Sequence, residues 1–190
     1  AVPGIEVEAD NPALGQILEL IKEHEAEGYS YDTAQASFEL LARRTLGICP
    51  EFFEVKRYRV SVERRKNKYN KMVSLSEAVV VVKVNGQKKL SASESLDETG
   101  ADRGPVNALA KALSKDLGPY QDMIDDMRLV DFKVRITQGG TEAVTRVTID
   151  SEDSKGRRWS TVGVSANIVD ASFEALLDAI NWKLIRDIVN

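Results

Sequence analysis

"EAVVVVKVN", residues 77–85, and "EAVTRVTID", residues 142–150, open alike and lie 65 positions apart, and their neighbourhoods repeat with them. Downstream of the first, Val106, Leu109, Ala110, Leu113 and Leu117 have counterparts Phe173, Leu176, Leu177, Ile180 and Leu184, each shifted by 67. Upstream, Tyr58, Val60 and Val62 match Phe132, Val134 and Ile136, while just downstream "KKLS" matches "RRWS". Self-similarity of this kind, with the offset changing only in loops, marks duplicated supersecondary units. Period-two segments followed by a helical period read as strand, strand, strand, helix in each unit. In the first unit Val80, Val82 and Val84 alternate with Val79 and Val81, so the strand is apolar on both faces. One helix covers one face. The other must meet a sister unit or a second subunit, since a long apolar face left in water invites association, and a homodimer is expected.

Outward from the repeats, residues 1–50 read as a helical subdomain and residues 51–190 as the duplicated one, with units at about 51–120 and 128–190. Leu14, Ile17, Leu18 and Ile21 fall at helical spacing, and Ala34, Phe38 and Leu41 resume it after Gly28. Gly28 suits the end of the first helix, and Ser30 or Asp32 a cap for the second. The expected fold is α+β: an N-terminal helical hairpin, then two tandem βββα units.

The totals narrow the function. The 190 residues carry a net charge of −4 and 43% hydrophobic residues, enough for a sizeable core. The single Cys49 cannot form an internal disulfide, and no apolar run reaches the roughly 20 residues a membrane helix needs. A cytoplasmic protein that binds no membrane is expected. The chain opens on Ala1, within "AVPGIEVEAD", which resembles neither a signal peptide nor a domain start, so a longer parent chain is expected.

Catalytic chemistry is sparse. His24 is the one histidine, in the charged segment "IKEHEAEG", where a solvated position is expected. No cysteine-histidine metal cluster, Ser-His-Asp set or phosphate loop is present, so no catalytic and no metal-binding residues are assigned. Asp125 and Asp126 read as a solvated loop, and Cys49 as a small core residue. Residues 55–71 hold eight Lys or Arg with Tyr58 and Tyr69 between them. Half of that run alternates as a strand with Arg57, Arg59 and Ser61 outward, and the whole chain is acidic, so no nucleic-acid partner is expected.

Two turns into helices remain. In "DETGADRGPVNALAKAL" Pro105 suits the first helical position and Gly104 lets backbone approach a ligand. In "STVGVSANIVDASFEALLDAI", residues 160–180, the alternation of Trp159, Thr161 and Gly163 gives way to an amphipathic helix through Gly163, Ser165 and Ala166. These small residues leave room for something other than protein. Helix N-termini favour a carboxylate, and Asp102 or a carbonyl would take an ammonium. A compact free amino acid fits that chemistry, as does ordinary capping.

The stretch "KVRITQGGTEAVTRVTIDSEDSKGRRWSTVGVSANIVDASFEALLDAINWKL" closely resembles the C-terminal regulatory domain of the 2-isopropylmalate synthase and citramalate synthase family, and "ADRGPVNALAKAL" resembles its first-unit helix start. "IKEHEAEGYSYDTAQASFELLARR" is similar to the linker subdomain of the citramalate branch. The resemblance covers nearly the whole chain. It implies a parent acyltransferase that condenses acetyl-CoA with a 2-oxo acid on a TIM barrel holding a divalent metal. It further implies that this stretch, lacking the barrel, holds no cofactor and is inactive alone. It implies a feedback sensor, dimeric, binding a branched-chain amino acid between its two units: isoleucine in citramalate synthases, leucine in isopropylmalate synthases. A ligand-free structural dimerisation module is the remaining alternative. Matched to the family's effector contacts are Gly104, Pro105, Val106 and Asn107 at the first helix start. Ile136, Ala143 and Thr145 match on the second unit's first two strands, and Ser165, Ala166 and Asn167 at its helix start. Asp102 stands where the family often has glycine, and Asp102 is counted with the effector residues.

Overall fold

The computed structural model describes Ile5 and residues 11–97, 104–137 and 143–189. The chain is α+β. Helices α1 (Pro12–Glu27) and α2 (Gln35–Thr45) precede strands β1 (Glu54–Lys66), β2 (Met72–Val84) and β3 (Gln87–Asp97) and helix α3 (Pro105–Leu113). A 3₁₀ turn (Gly118–Tyr120) and the single turn α4 (Gln121–Ile124) lead to β4 (Arg128–Ile136), β5 (Thr145–Glu152), β6 (Arg158–Ser165) and α5 (Ile168–Ile188). Each repeat is one antiparallel sheet in sequence order, β1-β2-β3 and β4-β5-β6. Two compact units result: Glu51–Asp125 forms one, and the helical hairpin folds with the second repeat as the other.

Within the first unit the repeat reading holds residue by residue. The β2–β3 turn is Asn85-Gly86, both with positive φ (49° and 80°), the two-residue reversal whose twist matches the flanking strands. Ala78, Val80, Val82 and Val84 are buried on the face that meets α3, which contributes Ala108, Leu109, Ala112 and Leu113. Val79 and Val81, on the opposite face, are only half-buried, and Leu90, paired with Val81, is 64% exposed. The chain therefore leaves that second apolar face partly uncovered by its own elements.

In the other unit α5 runs along β6 with a matched stride. Trp159 donates its indole N–H to the Ala179 carbonyl (3.1 Å), and Thr161 donates its hydroxyl to the Ala175 carbonyl (2.8 Å). Gly163 lies beneath Ala171. Two strand residues advance about 6.7 Å and four helical residues about 6 Å, so each step along β6 meets one turn of α5. Val147, Ile149 and Val162 are fully buried in this sheet.

The hairpin packs on β6 and α5. Asn11 caps α1 by accepting from the Ala13 N–H (2.9 Å), and Gly28, at φ 111°, ends it with its N–H turned back on the Glu25 carbonyl. Of the expected apolar stripe only Ile17 is buried; Leu14 and Ile21 are half-buried and Leu18 is 59% exposed. The cap of α2 differs from expectation. Ala34, fully buried, holds the N-cap position with no side-chain bond, and neither Ser30 nor Asp32 serves. Burying Ala34 leaves no space there for a polar cap.

Two side chains close the outer edge of β6. Ser37 on α2 accepts from the Val162 N–H (3.0 Å) and donates to the buried Asp178 (2.8 Å), while Glu174 on α5 accepts from the Val164 N–H (3.2 Å). An edge whose amides are occupied cannot recruit another strand. The opposite edge, β4, is open to solvent along its length, with Val130 (45%), Phe132 (37%), Val134 (40%) and Ile136 (70%) exposed. Among the described residues no helix is long and apolar enough to cross a membrane.

Candidate functional site

Three of the residues expected in the second unit form one cross-strand row: Ile136 pairs with Thr145, and Thr145 with Ser165. The row shares the sheet face that α5 covers and is the next pair on that face beyond Val147–Gly163. Ala143 enters β5 beside it, half-buried, and the chain leaves Ser165 through the exposed Ala166 and Asn167 into α5. The structure thus gathers the second unit's expected residues at one end of the sheet, with Ile136 presenting most of its side chain to solvent.

Gly163 is a correction. It leaves no room for a ligand, because a Cβ there would overlap the Ala171 carbonyl oxygen and crowd the Ala175 nitrogen. Its smallness serves the approach of helix to strand. The turn itself is closed by local bonds: Asn167 Oδ1 accepts from the Val169 N–H (2.8 Å), and Ser165 Oγ accepts from the Asn167 N–H (3.1 Å). An anion at α5 would displace Asn167 from the first turn or approach beside it.

The first unit presents a different helix start. Gly104 is the N-cap of α3 with extended backbone (φ 174°), and among the described residues no side chain caps the helix. Pro105 is its first residue; Pro105, Val106 and Asn107 are half-buried. A Cβ built on Gly104 meets nothing within 4 Å, so the space the sequence reading assigned to a ligand is free of the described protein there. Asp102 lies outside the described residues. The two helix starts are not register-equivalent. α5 begins 63 residues after α3, whereas the buried helix positions repeat at 67, so α5 carries one extra N-terminal turn.

Other expected positions move. His24 is half-buried, its Nδ1 2.6 Å from the Tyr31 hydroxyl and its ring stacked on Tyr29 at 4.7 Å, where a solvated position was expected. Asp126 is no solvated loop residue. It accepts from the Ser154 N–H (3.2 Å) and lies 3.0 Å from the buried Lys183, which also meets Asp153 and Asp187. Burial alone would raise the Asp187 carboxyl, yet bonds from Lys183 and Arg157 hold it down at about 2. Cys49 is half-buried and its thiol is pushed up, chiefly by burial. The Asp126 contacts have no sequence signal, because they join positions far apart in the chain.

A cleft of about 600 Å³ lies away from the row, lined by Asp32, Glu39, Asp150, Arg158 and Trp182, among others. Two of its charges are paired, Arg186 with Glu39 (2.5 Å) and Arg158 with Glu152 (2.8 Å). Glu39 also accepts from the Trp182 indole at 2.9 Å.

Residues 32–184 match the family described as the LeuA allosteric (dimerisation) domain. The chain is 44% identical over 182 residues to an (R)-citramalate synthase of Geobacter sulfurreducens, covering 95% of this chain and 32% of that protein. It is 39% identical over 186 residues to an (R)-citramalate synthase of Aquifex aeolicus, covering 97% and 33%. A 2-isopropylmalate synthase of Clostridium kluyveri is 32% identical over 143 residues, covering 75% and 24%. The chain thus spans about a third of the length of these citramalate synthases.

Proposed function

Because the chain belongs to the family of LeuA allosteric (dimerisation) domains, we propose that it is the feedback-sensing and dimerisation part of a citramalate synthase, and that its effector is isoleucine. The parent acyltransferase would join acetyl-CoA to pyruvate on a catalytic barrel outside this chain, with the divalent metal held there. The names of the more similar relatives favour citramalate over isopropylmalate synthesis.

One observation carries the sensing role: the row Ile136–Thr145–Ser165 ends at the N-terminus of α5, so an apolar side chain, two hydroxyls and a positive helix end meet at one place. A branched aliphatic amino acid offers the matching groups, a hydrocarbon side chain and a carboxylate. Gly104, Pro105, Val106 and Asn107, with Asp102, are proposed as the first unit's contribution to effector binding, and Ala143, Ala166 and Asn167 as further contacts in the second. Dimerisation is assigned to the solvent-open apolar strand β4, whose exposed Val130, Phe132, Val134 and Ile136 need a cover.

The test is calorimetric titration of the chain with L-isoleucine, L-leucine and L-valine in parallel, with Gly104→Trp as the site variant and sedimentation to read the dimer. Micromolar isoleucine binding that is stronger than leucine binding and lost in the variant supports the reading. A leucine preference transfers the parent to isopropylmalate synthesis. A stable dimer silent toward all three amino acids establishes the second reading, a ligand-free dimerisation module, which the Asn167 cap already closing α5 favours.

A further inference from the structure

The tip of the helical hairpin reaches the neighbours of the candidate row at both ends. Gly28, which terminates α1, faces Thr137, the residue after Ile136, so closely that a Cβ on Gly28 would stand 2.8 Å from Thr137 Oγ1. Thr137 is itself fixed, its N–H donating to the Val144 carbonyl at 2.9 Å. At the other end Tyr29 donates its hydroxyl to Glu174 Oε1 (2.6 Å), and Glu174 Oε2 accepts from the N–H of Val164, the residue before Ser165. One carboxylate therefore bridges the hairpin tip and the last backbone amide before the effector turn.

Tyr29 is well placed to hold that bridge. Its ring stacks on His24 at 4.7 Å and on Tyr31 at 5.9 Å, so its direction is set by the last turn of α1 and by the aromatic chain before α2. Burial pushes the Glu174 carboxyl up from the usual range, with the bonds from Tyr29 and Val164 acting against it. Burial, then the bond to Glu174, pushes the Tyr29 phenol up as well. Both groups lie partly out of water, where a hydrogen bond is stronger than at the surface.

We propose that Glu174, held by Tyr29, is the positioning residue of the Ser165–Asn167 turn and the point at which occupancy of that turn is felt by the helical hairpin. This rests on the effector reading only for its second half. The positioning half stands on the bridge itself. Val164 is the last β6 residue before Ser165, and its outward amide has Glu174 as partner rather than a strand. Loss of the Tyr29 hydroxyl frees one carboxylate oxygen, lets Glu174 turn toward water, and releases Val164. An effector ordering Ser165 and Asn167 pulls on the same amide, so strain at the row reaches Tyr29 through two hydrogen bonds.

Tyr29→Phe keeps the stacked ring and removes only the donor, whereas Tyr31→Phe removes a hydroxyl from the same cluster without touching Glu174. Amide exchange read by NMR on the chain without amino acid should quicken about tenfold at Val164 and through Ser165–Asn167 in Tyr29→Phe. It should stay unchanged there in Tyr31→Phe and at buried Ile149 in both. Equal exchange in all three proteins, or equal loosening by both variants, overturns the positioning role. Isoleucine titration of the same samples tests the coupling: Tyr29→Phe should bind about five- to tenfold more weakly than the parent chain, and equal affinity overturns the coupling. If the parent chain binds no branched-chain amino acid, the effector reading fails and the coupling with it, while the exchange result still decides the positioning role.

Discussion

Helices α3 and α5 close two repeats of one plan, yet they are seated differently. α5 presses its backbone onto β6, with its Ala175 and Ala179 carbonyls accepting from Thr161 and Trp159 and its first turn capped by its own Asn167. α3 spans Pro105–Leu113, lacks a side-chain cap among the described residues, and begins at a Gly104 on which an added Cβ would meet nothing described within 4 Å. Duplication conserved the buried ladder of apolar positions and left the helix starts free to diverge. Among the described residues, the start of α5 is capped by its own side chain and the start of α3 is not.

The largest test of that contrast substitutes the two glycines. Gly163→Ala drives a Cβ into the Ala171 carbonyl, backbone against backbone, and should cost about 3 kcal/mol, the upper end of an overpacked core. For a chain of this size that lowers Tm by roughly 6–12 °C. Gly104→Ala should cost less than about 0.5 kcal/mol, as an unstrained surface change does. Thermal melts of the two variants side by side measure it, and comparable losses would abolish the distinction.

Acid separates the units next. At one end of the second sheet the buried Lys183 is ringed by Asp126, Asp153 and Asp187, with Arg157 closing the group. In residues 51–125 the described ion pairs, Lys56–Glu54 and Lys89–Asp116, are much more exposed. The folded pKa of Asp187 is depressed, to about 2 from an ordinary 3.8. Its stabilisation is therefore fully present above pH 4 and disappears as the pH falls through about 2. With the side chain only a tenth exposed, the loss should approach 2 kcal/mol. Amide exchange between pH 4 and pH 2 should loosen β5, β6 and α5 before β1–β3. Asp187→Asn should flatten the difference, and uniform loosening would refute the assignment.

Asn167→Ala removes the cap of α5 and should cost about 1 kcal/mol by urea melt. An unchanged midpoint would mean that Asn167 is held by something other than the Val169 amide.

These contrasts show where the sequence was legible. The ladder of Val80, Val82 and Val84 and its echo in Val147 and Ile149 appear in the letters because strand burial has a period of two, and both βββα units follow from it. The cross-strand row was half legible: resemblance named Ile136, Thr145 and Ser165, and pairing register made them neighbours. Gly163 was misread because a small residue admits a ligand or a helix equally well, and only the position of Ala171 decides between them. Asp126 and Glu174 were missed for a related reason. Their partners complete a site only after long segments have folded; Tyr29 and Glu174 stand 145 residues apart. Charged letters in a helical period carry no mark of such a partner. The extra turn of α5 was hidden by aligning the helices on their buried positions, which repeat at 67 while the starts repeat at 63.

The smallest effect sharpens the comparison most. Gly104→Asn places a capping side chain where α3 has none among the described residues, on extended backbone that any residue adopts. By the ordinary ranking of caps it should raise stability by a few tenths of a kcal/mol, close to the resolution of a melt. The same amide carbonyl would occupy the first-turn N–H groups of α3, among the Gly104–Asn107 residues proposed to contact the effector, as Asn167 occupies those of α5. The variant should thus be slightly more stable and bind isoleucine about tenfold more weakly, by the loss of one charge-assisted contact. Destabilisation would show that α3 is already capped and its start closed. Unaltered stability with unaltered affinity would show that the open space at Gly104 serves neither capping nor ligand, and that the contrast between the two helix starts is one of packing alone.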